Sequence, residues 1–228
     1  MIRRKIRSFF SLLKQGKLGA IFQKISVRFV RCVYKIRAWI EDCRIGGISV
    51  EKIKPTKFAE LGATHSQSTH YHMLDRAFKS VKLKEDDVFL DVGCGEGRVL
   101  TYLYLRGYRN KMIGIELDPD IADTAKARTS KCANIEVVCD NILNRADLIK
   151  NATAVYLYNP FDETVLAPFI QMIEEHCDHK LTVYYMNDVH RKLLDKRENW
   201  YVARRDYVKS LHYSLWFPYT IYRYIPEK

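Results

Sequence analysis

The sequence has no long apolar stretch that is free of charged residues. A helix that crosses a membrane needs about 18 to 20 such residues in a row, and no segment of the 228-residue chain approaches that length. The chain also lacks the uninterrupted apolar segment that forms the centre of a cleaved signal peptide. The composition therefore predicts neither a membrane-spanning helix nor a cleaved leader.

Paired cysteine motifs are missing as well. None of the six cysteines forms a C-x-x-C pair with another, and the chain has no internal repeat and no low-complexity segment. Scattered cysteines are typical of reduced thiols in the cytoplasm rather than of a disulfide framework or a zinc site. We therefore expect a cytoplasmic protein. The cysteines are Cys32, Cys43, Cys94, Cys132, Cys139 and Cys177.

Acidic residues are scarce at the start of the chain. Residues 1–44 contain 12 Lys and Arg but only two Asp and Glu, a net charge of +10 out of the total of +11. The remaining 184 residues carry a net charge of only +1. This asymmetry divides the chain into a basic extension, residues 1–44, and a nearly neutral domain, residues 45–228. A charge so unevenly placed indicates an anionic partner.

Helical periodicity suggests what that partner is. Six apolar residues of the extension fall within an arc of about 80° on a helix, and four basic residues cluster on another face. Such a helix can lie peripherally in an anionic membrane interface, on the cytoplasmic side; alternatively, its apolar stripe packs on the domain. Nucleic acid is an unlikely partner, because no recognised binding motif or interleaving of aromatic residues is present. Residues 2–14 repeat the pattern in shorter form. The apolar residues are Phe22, Ile25, Phe29, Val33, Ile36 and Ile40, and the basic ones are Lys24, Arg28, Arg31 and Lys35.

The most informative segment runs from residue 89 to residue 100. It predicts a buried strand, a turn with Gly93, Gly95 and Gly97, and the start of a helix whose free N–H groups face a ligand. A dinucleotide-binding fingerprint would need a glycine at position 98, where this chain has Arg98. That difference argues against an oxidoreductase that binds NAD or a nucleotide sugar. A turn without a ligand remains the other interpretation.

A second predicted strand, residues 112–116, ends in an acid. Glu116 is followed by Pro119, which suits the first turn of a helix. A carboxylate at this strand end can accept hydrogen bonds from two ribose hydroxyls. Asp118 is the rival for that role, but its place before Pro119 is typical of a helix cap.

Together these segments resemble the class I S-adenosylmethionine-dependent methyltransferases over residues 64–166. The resemblance implies a Rossmann-like α/β fold with seven mostly parallel strands, a C-terminal antiparallel pair and helices on both faces. It also implies S-adenosylmethionine as the methyl donor. Glu116 would bind the ribose, and Asp140, with the backbone at Asn141, would lie beside the adenine; the alternative for Asp140 is a turn or a cap. Asp91, Gly93, Gly95 and Gly97 would shape the donor site.

The fourth predicted strand, residues 154–158, precedes the segment Asn159-Pro160-Phe161. It resembles the [Asn/Asp/Ser]-Pro-Pro-aromatic motif of amino-methylating members of the family, with one proline missing. The resemblance implies that Asn159 and Pro160 accept hydrogen bonds from the acceptor amine and that Phe161 packs on the substrate. The alternative is an Asn-Pro turn that closes the strand.

The sequence does not single out a catalytic base. His65, His70 and His72 lie in a polar segment before the first strand, and Asp188 and His190 follow the fifth predicted strand. No metal site is expected, because H-x-H without a cluster of carboxylates is weak evidence for one. A hydroxyl acceptor needs a base whereas an amine does not, so we expect a nitrogen acceptor such as a protein lysine. Methylation of a glycan or lipid-linked sugar, and a non-catalytic donor-binding protein, remain alternatives.

Overall fold

A computed structural model describes residues 18–45, 53–80, 83–209 and 216–227. Its centre is one seven-stranded sheet in the order β3-β2-β1-β4-β5-β7-β6. Strands β1 to β5 run parallel, and β7 lies antiparallel between β5 and β6. The sheet confirms the predicted fold. The strands are β1 (Phe89–Val92), β2 (Met112–Glu116), β3 (Ile135–Cys139), β4 (Ala154–Tyr158), β5 (Leu181–Met186), β6 (Trp200–Lys209) and β7 (Trp216–Tyr224).

Helices cover both faces of this sheet because its central strands are apolar on both sides, as parallel strands are. Leu90 and Val92 face one apolar core with three of the helices, and Phe89 faces the other core with the remaining four. The first core contains α5 (Ala146–Asn151), α6 (Glu163–His176) and α7 (Lys192–Asp195). The second contains α1 (Leu18–Arg44), α2 (Tyr71–Ser80), α3 (Arg98–Leu105) and α4 (Pro119–Thr129).

The C-terminal end of α1 is joined to the domain by a buried ion cluster. The carboxylate of Asp42 is completely buried and accepts hydrogen bonds from Arg98 Nη2 at 2.6 Å and Arg128 Nη2 at 3.0 Å. The hydroxyl of Tyr71 donates to the same carboxylate at 2.7 Å. Burial and the Asp42 carboxylate raise the pKa of Tyr71, which stays a donor. One side chain thus connects four helices.

Several local predictions can be compared with the structure. Pro119 opens α4, as expected, and β6 pairs with β7 along its whole length as the expected C-terminal antiparallel pair. Helix α1 includes Gly19, the second of its described residues. The predicted short helix at residues 2–14 lies outside the described residues. Within them, no helix is long and apolar enough to span a membrane.

Substitution of Asp42 tests the buried cluster. Asp42→Asn should lower the free energy of unfolding by about 3 to 5 kcal/mol, because two buried guanidinium groups lose their carboxylate. Urea denaturation of the two proteins measures this difference.

Asp147→Asn is the matched control for this substitution. The Asp147 carboxylate meets Arg145 at 2.7 Å, but its side chain is 59% exposed, so its loss should cost less than about 1 kcal/mol. Equal losses in the two variants would contradict a structural role for the cluster.

Candidate active site

A cleft opens at the carboxyl ends of β1, β2 and β4. The chain runs from β1 outward to β2 and β3 and then returns to β4 on the other side of β1, so the strand order reverses at this point. Ligands bind at such a switch point in open α/β sheets. The cleft is also bordered by a segment that we call the strap, residues 54–69, which precedes α2.

The turn after β1 has the conformation that its glycines predict. Gly93 and Gly95 have φ angles of +70° and +55°, in the left-handed region that favours glycine. A Cβ atom at Gly93 would lie 2.5 Å from Cβ of Pro160. Both glycines line the cleft. Gly97 instead caps the N-terminus of α3 and is not among the lining residues.

The carboxylate of Glu116 holds this turn against the end of β2. Its Oε2 accepts the N–H of Gly95 at 2.9 Å, and its Oε1 accepts the N–H groups of Leu117 at 2.9 Å and Asp118 at 3.1 Å. Burial raises the pKa of Glu116, although these three N–H groups oppose the increase. A carboxylate offers about four acceptor sites, so Glu116 keeps a remaining acceptor position at the cleft.

Asp91, at the end of β1, is the most unusual group in the cleft. The residue is buried, and its Oδ2 atom has no hydrogen-bond partner among the described residues. Burial, followed by the nearby Glu116 carboxylate, raises the pKa of Asp91 well above its ordinary value. A buried carboxylate oxygen that has no hydrogen-bond partner lowers the stability of the folded protein. The cleft is therefore suited to a ligand that brings a hydrogen-bond donor or a positive charge to Asp91.

The remaining acids near the cleft have local partners. Asp118 caps α4 by accepting the N–H of Asp120 at 3.0 Å, as its position before Pro119 indicated. Asp140 lines the cleft after β3, and its Oδ1 accepts the N–H of Asn141 at 2.7 Å. The Asn141 side chain also lines the cleft and accepts the N–H of Leu143 at 3.0 Å.

The segment after β4 is tied to the strap. Thr64 donates its N–H to the carbonyl of Pro160 at 3.0 Å and its hydroxyl to the carbonyl of Asn159 at 2.8 Å. Asn159 has a φ angle of +44°, and its Oδ1 accepts the hydroxyl of Tyr185 at 3.3 Å. Pro160 and Phe161 line the cleft, whereas Asn159 is not among the lining residues.

Ion pairs hold the strap at its other end. Lys54 Nζ lies 2.6 Å from Oε1 of the buried Glu96, and Lys57 pairs with Asp120 at the start of α4. Near the end of the strap, the Thr69 hydroxyl bonds Tyr156 at 3.0 Å. The sequence does not predict these ion pairs, because charge pairs separated by 40 or more residues leave no local pattern.

Only one of the candidate histidines lines the cleft. His65 does so, and its Nδ1 accepts the N–H of Thr56 at 3.2 Å. His72 contacts the carbonyl of Lys209, and His190 contacts Glu163, so each has a partner elsewhere. His70 is buried beside His72. Among the described residues, no group of three or more His, Cys, Asp or Glu is placed to hold a metal ion.

Arg98 is the residue of the cleft wall whose role sequence reasoning missed. It occupies the position where a dinucleotide fingerprint has glycine, lines the cleft, and donates to the Thr69 carbonyl at 3.3 Å as well as to Asp42. One signal was available in the sequence. Asp42, the partner of Arg98, and its neighbour Glu41 are the first acidic residues of the chain, and the 40 residues before them contain none.

Comparisons with known proteins identify this arrangement. Residues 89–179 match the protein family described as Methyltransferase domain. Ribosomal RNA small subunit methyltransferase A of Thermotoga neapolitana is 29% identical over 121 residues, which are 53% of this chain and 45% of the relative. A putative methyltransferase of Mycobacterium tuberculosis is 34% identical over 55 residues, 24% of this chain and 33% of the relative. The chain thus spans less than half the length of the curated relatives it matches.

Solved structures share the fold. An RNA methyltransferase from Salinibacter ruber, in complex with S-adenosyl-L-homocysteine, covers 71% of this chain and 95% of its own, with 23% identity and a TM-score of 0.54. TrmN from Thermus thermophilus gives a TM-score of 0.57 at 10% identity, covering 67% of this chain and 48% of its own. The family match confirms the predicted class of enzyme and its donor at the level of the domain. Residues 89–179 are thus similar to a methyltransferase domain, and the sheet to which they contribute has the fold of the methyltransferase structures.

Proposed function

We propose that this protein transfers a methyl group from S-adenosylmethionine to a nitrogen acceptor. The observation that carries the donor is the buried Oδ2 atom of Asp91, a residue that lines the cleft, because this atom has no hydrogen-bond partner among the described residues. S-adenosylmethionine carries an ammonium group and a sulfonium, so it supplies the donor and the positive charge that this atom lacks. We propose that Asp91 binds the donor through that charge.

Other residues of the cleft support the same donor. Gly93 and Gly95 line the cleft without side chains of their own, and Glu116 has one acceptor position left, which suits one ribose hydroxyl. We propose that Asp140 and Asn141, which line the cleft after β3, lie beside the adenine. Gly97 serves this site indirectly, by starting α3.

The main contribution of the protein to this reaction is to position the acceptor against the methyl group. The sulfonium supplies an activated methyl group, which an acceptor displaces in line. The strap, tied to the Pro160 carbonyl through Thr64 and to Glu96 through Lys54, excludes water from that path. We propose that Asn159, Pro160 and Phe161 bound the acceptor side. Pro160 and Phe161 would form its wall, and Asn159 would set their position.

The state of His65 favours nitrogen over oxygen as the acceptor. Since the lone pair on Nδ1 of His65 accepts a backbone N–H, the neutral ring carries its proton on Nε2, and neither ring nitrogen is left to take a proton from a hydroxyl. A hydroxyl acceptor needs a base, whereas an amine needs only to arrive neutral. Among the described residues that line the cleft, His65 is the only histidine.

A protein lysine is the acceptor that we propose first. RNA is the second candidate, because relatives in sequence and in fold are named as RNA methyltransferases, contrary to the expectation that nucleic acid is an unlikely partner. Glycans and lipid-linked sugars are less favoured, since they offer hydroxyl groups. The six cysteines are free thiols, which supports a reducing compartment such as the cytoplasm.

The donor site can be tested by substitution of Glu116. Glu116→Ala should weaken binding of S-adenosylmethionine by about 2 to 4 kcal/mol, because charge-assisted hydrogen bonds are lost and the Gly95 turn loses its acceptor. Isothermal titration calorimetry measures the change. Glu136→Ala, at an exposed acid on the neighbouring strand β3, is the control and should bind as the unaltered protein does. Unaltered binding by Glu116→Ala would refute the ribose assignment.

The acceptor is tested by a methyl-transfer screen. The full chain is incubated with S-adenosylmethionine labelled in its methyl group and, separately, with protein, RNA and glycolipid fractions of cells. We expect label in protein, released as a methylated lysine after hydrolysis. Label in an RNA base would support the second candidate. Label that is confined to sugar hydroxyls would contradict a nitrogen acceptor.

Asn159 can then be tested on the acceptor so found. Asn159→Gly retains the positive φ angle but removes the amide, so we expect turnover to fall at least tenfold while donor affinity stays within twofold. Tyr185→Phe removes the hydroxyl that Asn159 accepts, so it should lower turnover in the same direction while donor affinity stays within twofold. Equal losses in turnover and donor affinity would mean that Asn159 contacts the donor instead of the acceptor side. An unchanged turnover rate would mean that Asn159 only closes the turn after β4.

A further inference from the structure

Helix α1 exposes a continuous apolar stripe. The described members of the stripe predicted from the sequence are between 47% and 69% exposed, and Phe29 is the most exposed of them. They lie on the helix face away from the domain. These residues are Ile25, Phe29, Val33, Ile36 and Ile40.

Another face of the same helix holds it to the domain. Ala38 and Asp42 are buried there, and Arg37 pairs with Asp75 at 2.7 Å. The ring of Tyr34 contacts the ring of His72 with centroids 5.5 Å apart. The alternative expectation, that the apolar stripe packs on the domain, is therefore wrong for the described part of α1.

The charge on α1 complements an anionic surface. No acid occurs between Leu18 and Ile40, whereas Arg28 and Lys35 are exposed. At about 100° per residue, Trp39 falls between these two cations and the apolar stripe, and its side chain is 58% exposed. Tryptophan favours the boundary between apolar and polar regions of a membrane interface.

We propose that α1 lies on an anionic lipid surface, with its apolar stripe in the acyl boundary and Arg28 and Lys35 against the headgroups. A second copy of the chain is a poorer occupant, because two helices of the same strong positive charge repel. RNA would neutralise the cations but leaves the aliphatic stripe exposed to water. Of these three surfaces, the anionic lipid surface is the one that satisfies both features.

The buried cluster at Asp42 makes this contact relevant to the whole protein. Because Asp42 joins the end of α1 to Arg98 and Arg128, a helix bound to a surface carries the catalytic domain with it. The proposal does not depend on the identity of the methyl acceptor.

Sedimentation with lipid vesicles tests the proposal on the full chain. We expect binding to phosphatidylcholine vesicles with 30% phosphatidylglycerol, little binding to pure phosphatidylcholine, and loss of binding as salt rises. Each basic residue near such a surface contributes about fivefold to partitioning. The double charge reversal Arg28→Glu and Lys35→Glu should therefore lower binding more than tenfold.

Substitutions in the apolar stripe separate lipid contact from packing. Phe29→Ser with Ile36→Ser should lower vesicle binding at least tenfold and leave the melting temperature and donor affinity unchanged. Val27→Ser is the matched control, since Val27 is exposed on the opposite side of the same helix and should not affect binding.

Four results would overturn the proposal. The first two are failure to bind anionic vesicles at low salt and equal binding to neutral vesicles. The third is a stripe variant that has a lower melting temperature but binds vesicles normally. The fourth is a protein that binds no vesicles but forms a dimer or an RNA complex, which the stripe variant abolishes. Unaltered donor affinity in every variant keeps this test independent of methyl transfer.

Discussion

The fold and the site both depend on one buried carboxylate, that of Asp42. It neutralises Arg98 and Arg128, which are themselves buried, and accepts the hydroxyl of Tyr71. Buried guanidinium groups are tolerated only when they are paired, so α1 is an integral part of the domain although most of its described length projects an exposed apolar face. The boundary at residue 44 therefore describes only where the positive charge ends. The hydrogen bonds of Asp42 cross this boundary and join the basic segment to the domain.

This cluster reaches the cleft through Arg98. Its guanidinium group also donates to the carbonyl of Thr69 at the end of the strap, and the strap in turn closes on the Asn159–Phe161 segment through Thr64. On the other side of the cleft, Glu116 fixes the glycine turn. The donor pocket is thus built from short local interactions, whereas the segments that cover it are held by contacts between distant parts of the chain.

That difference decides what the sequence could predict. The strands, the Gly93–Gly97 turn and the Asp118 cap follow from local signals, namely apolar runs, glycine spacing and helix-start residues, whereas the seven-stranded sheet was implied by the family resemblance. The pairing of Asp42 with Arg98 and Arg128 spans 56 and 86 residues, and the attachment of Asn159 to Thr64 spans 95. Periodicity finds the apolar stripe of α1 but not the direction in which it faces, because that depends on which face carries the partner for the buried arginines.

The central claim is that the cleft binds S-adenosylmethionine as a methyl donor. Isothermal titration of the full chain with S-adenosylmethionine, S-adenosylhomocysteine and NAD tests it most directly. The account predicts saturable binding of one S-adenosylmethionine per chain, displacement by S-adenosylhomocysteine and no detectable binding of NAD. Tight binding of NAD, or no binding of S-adenosylmethionine by a folded protein, would contradict it.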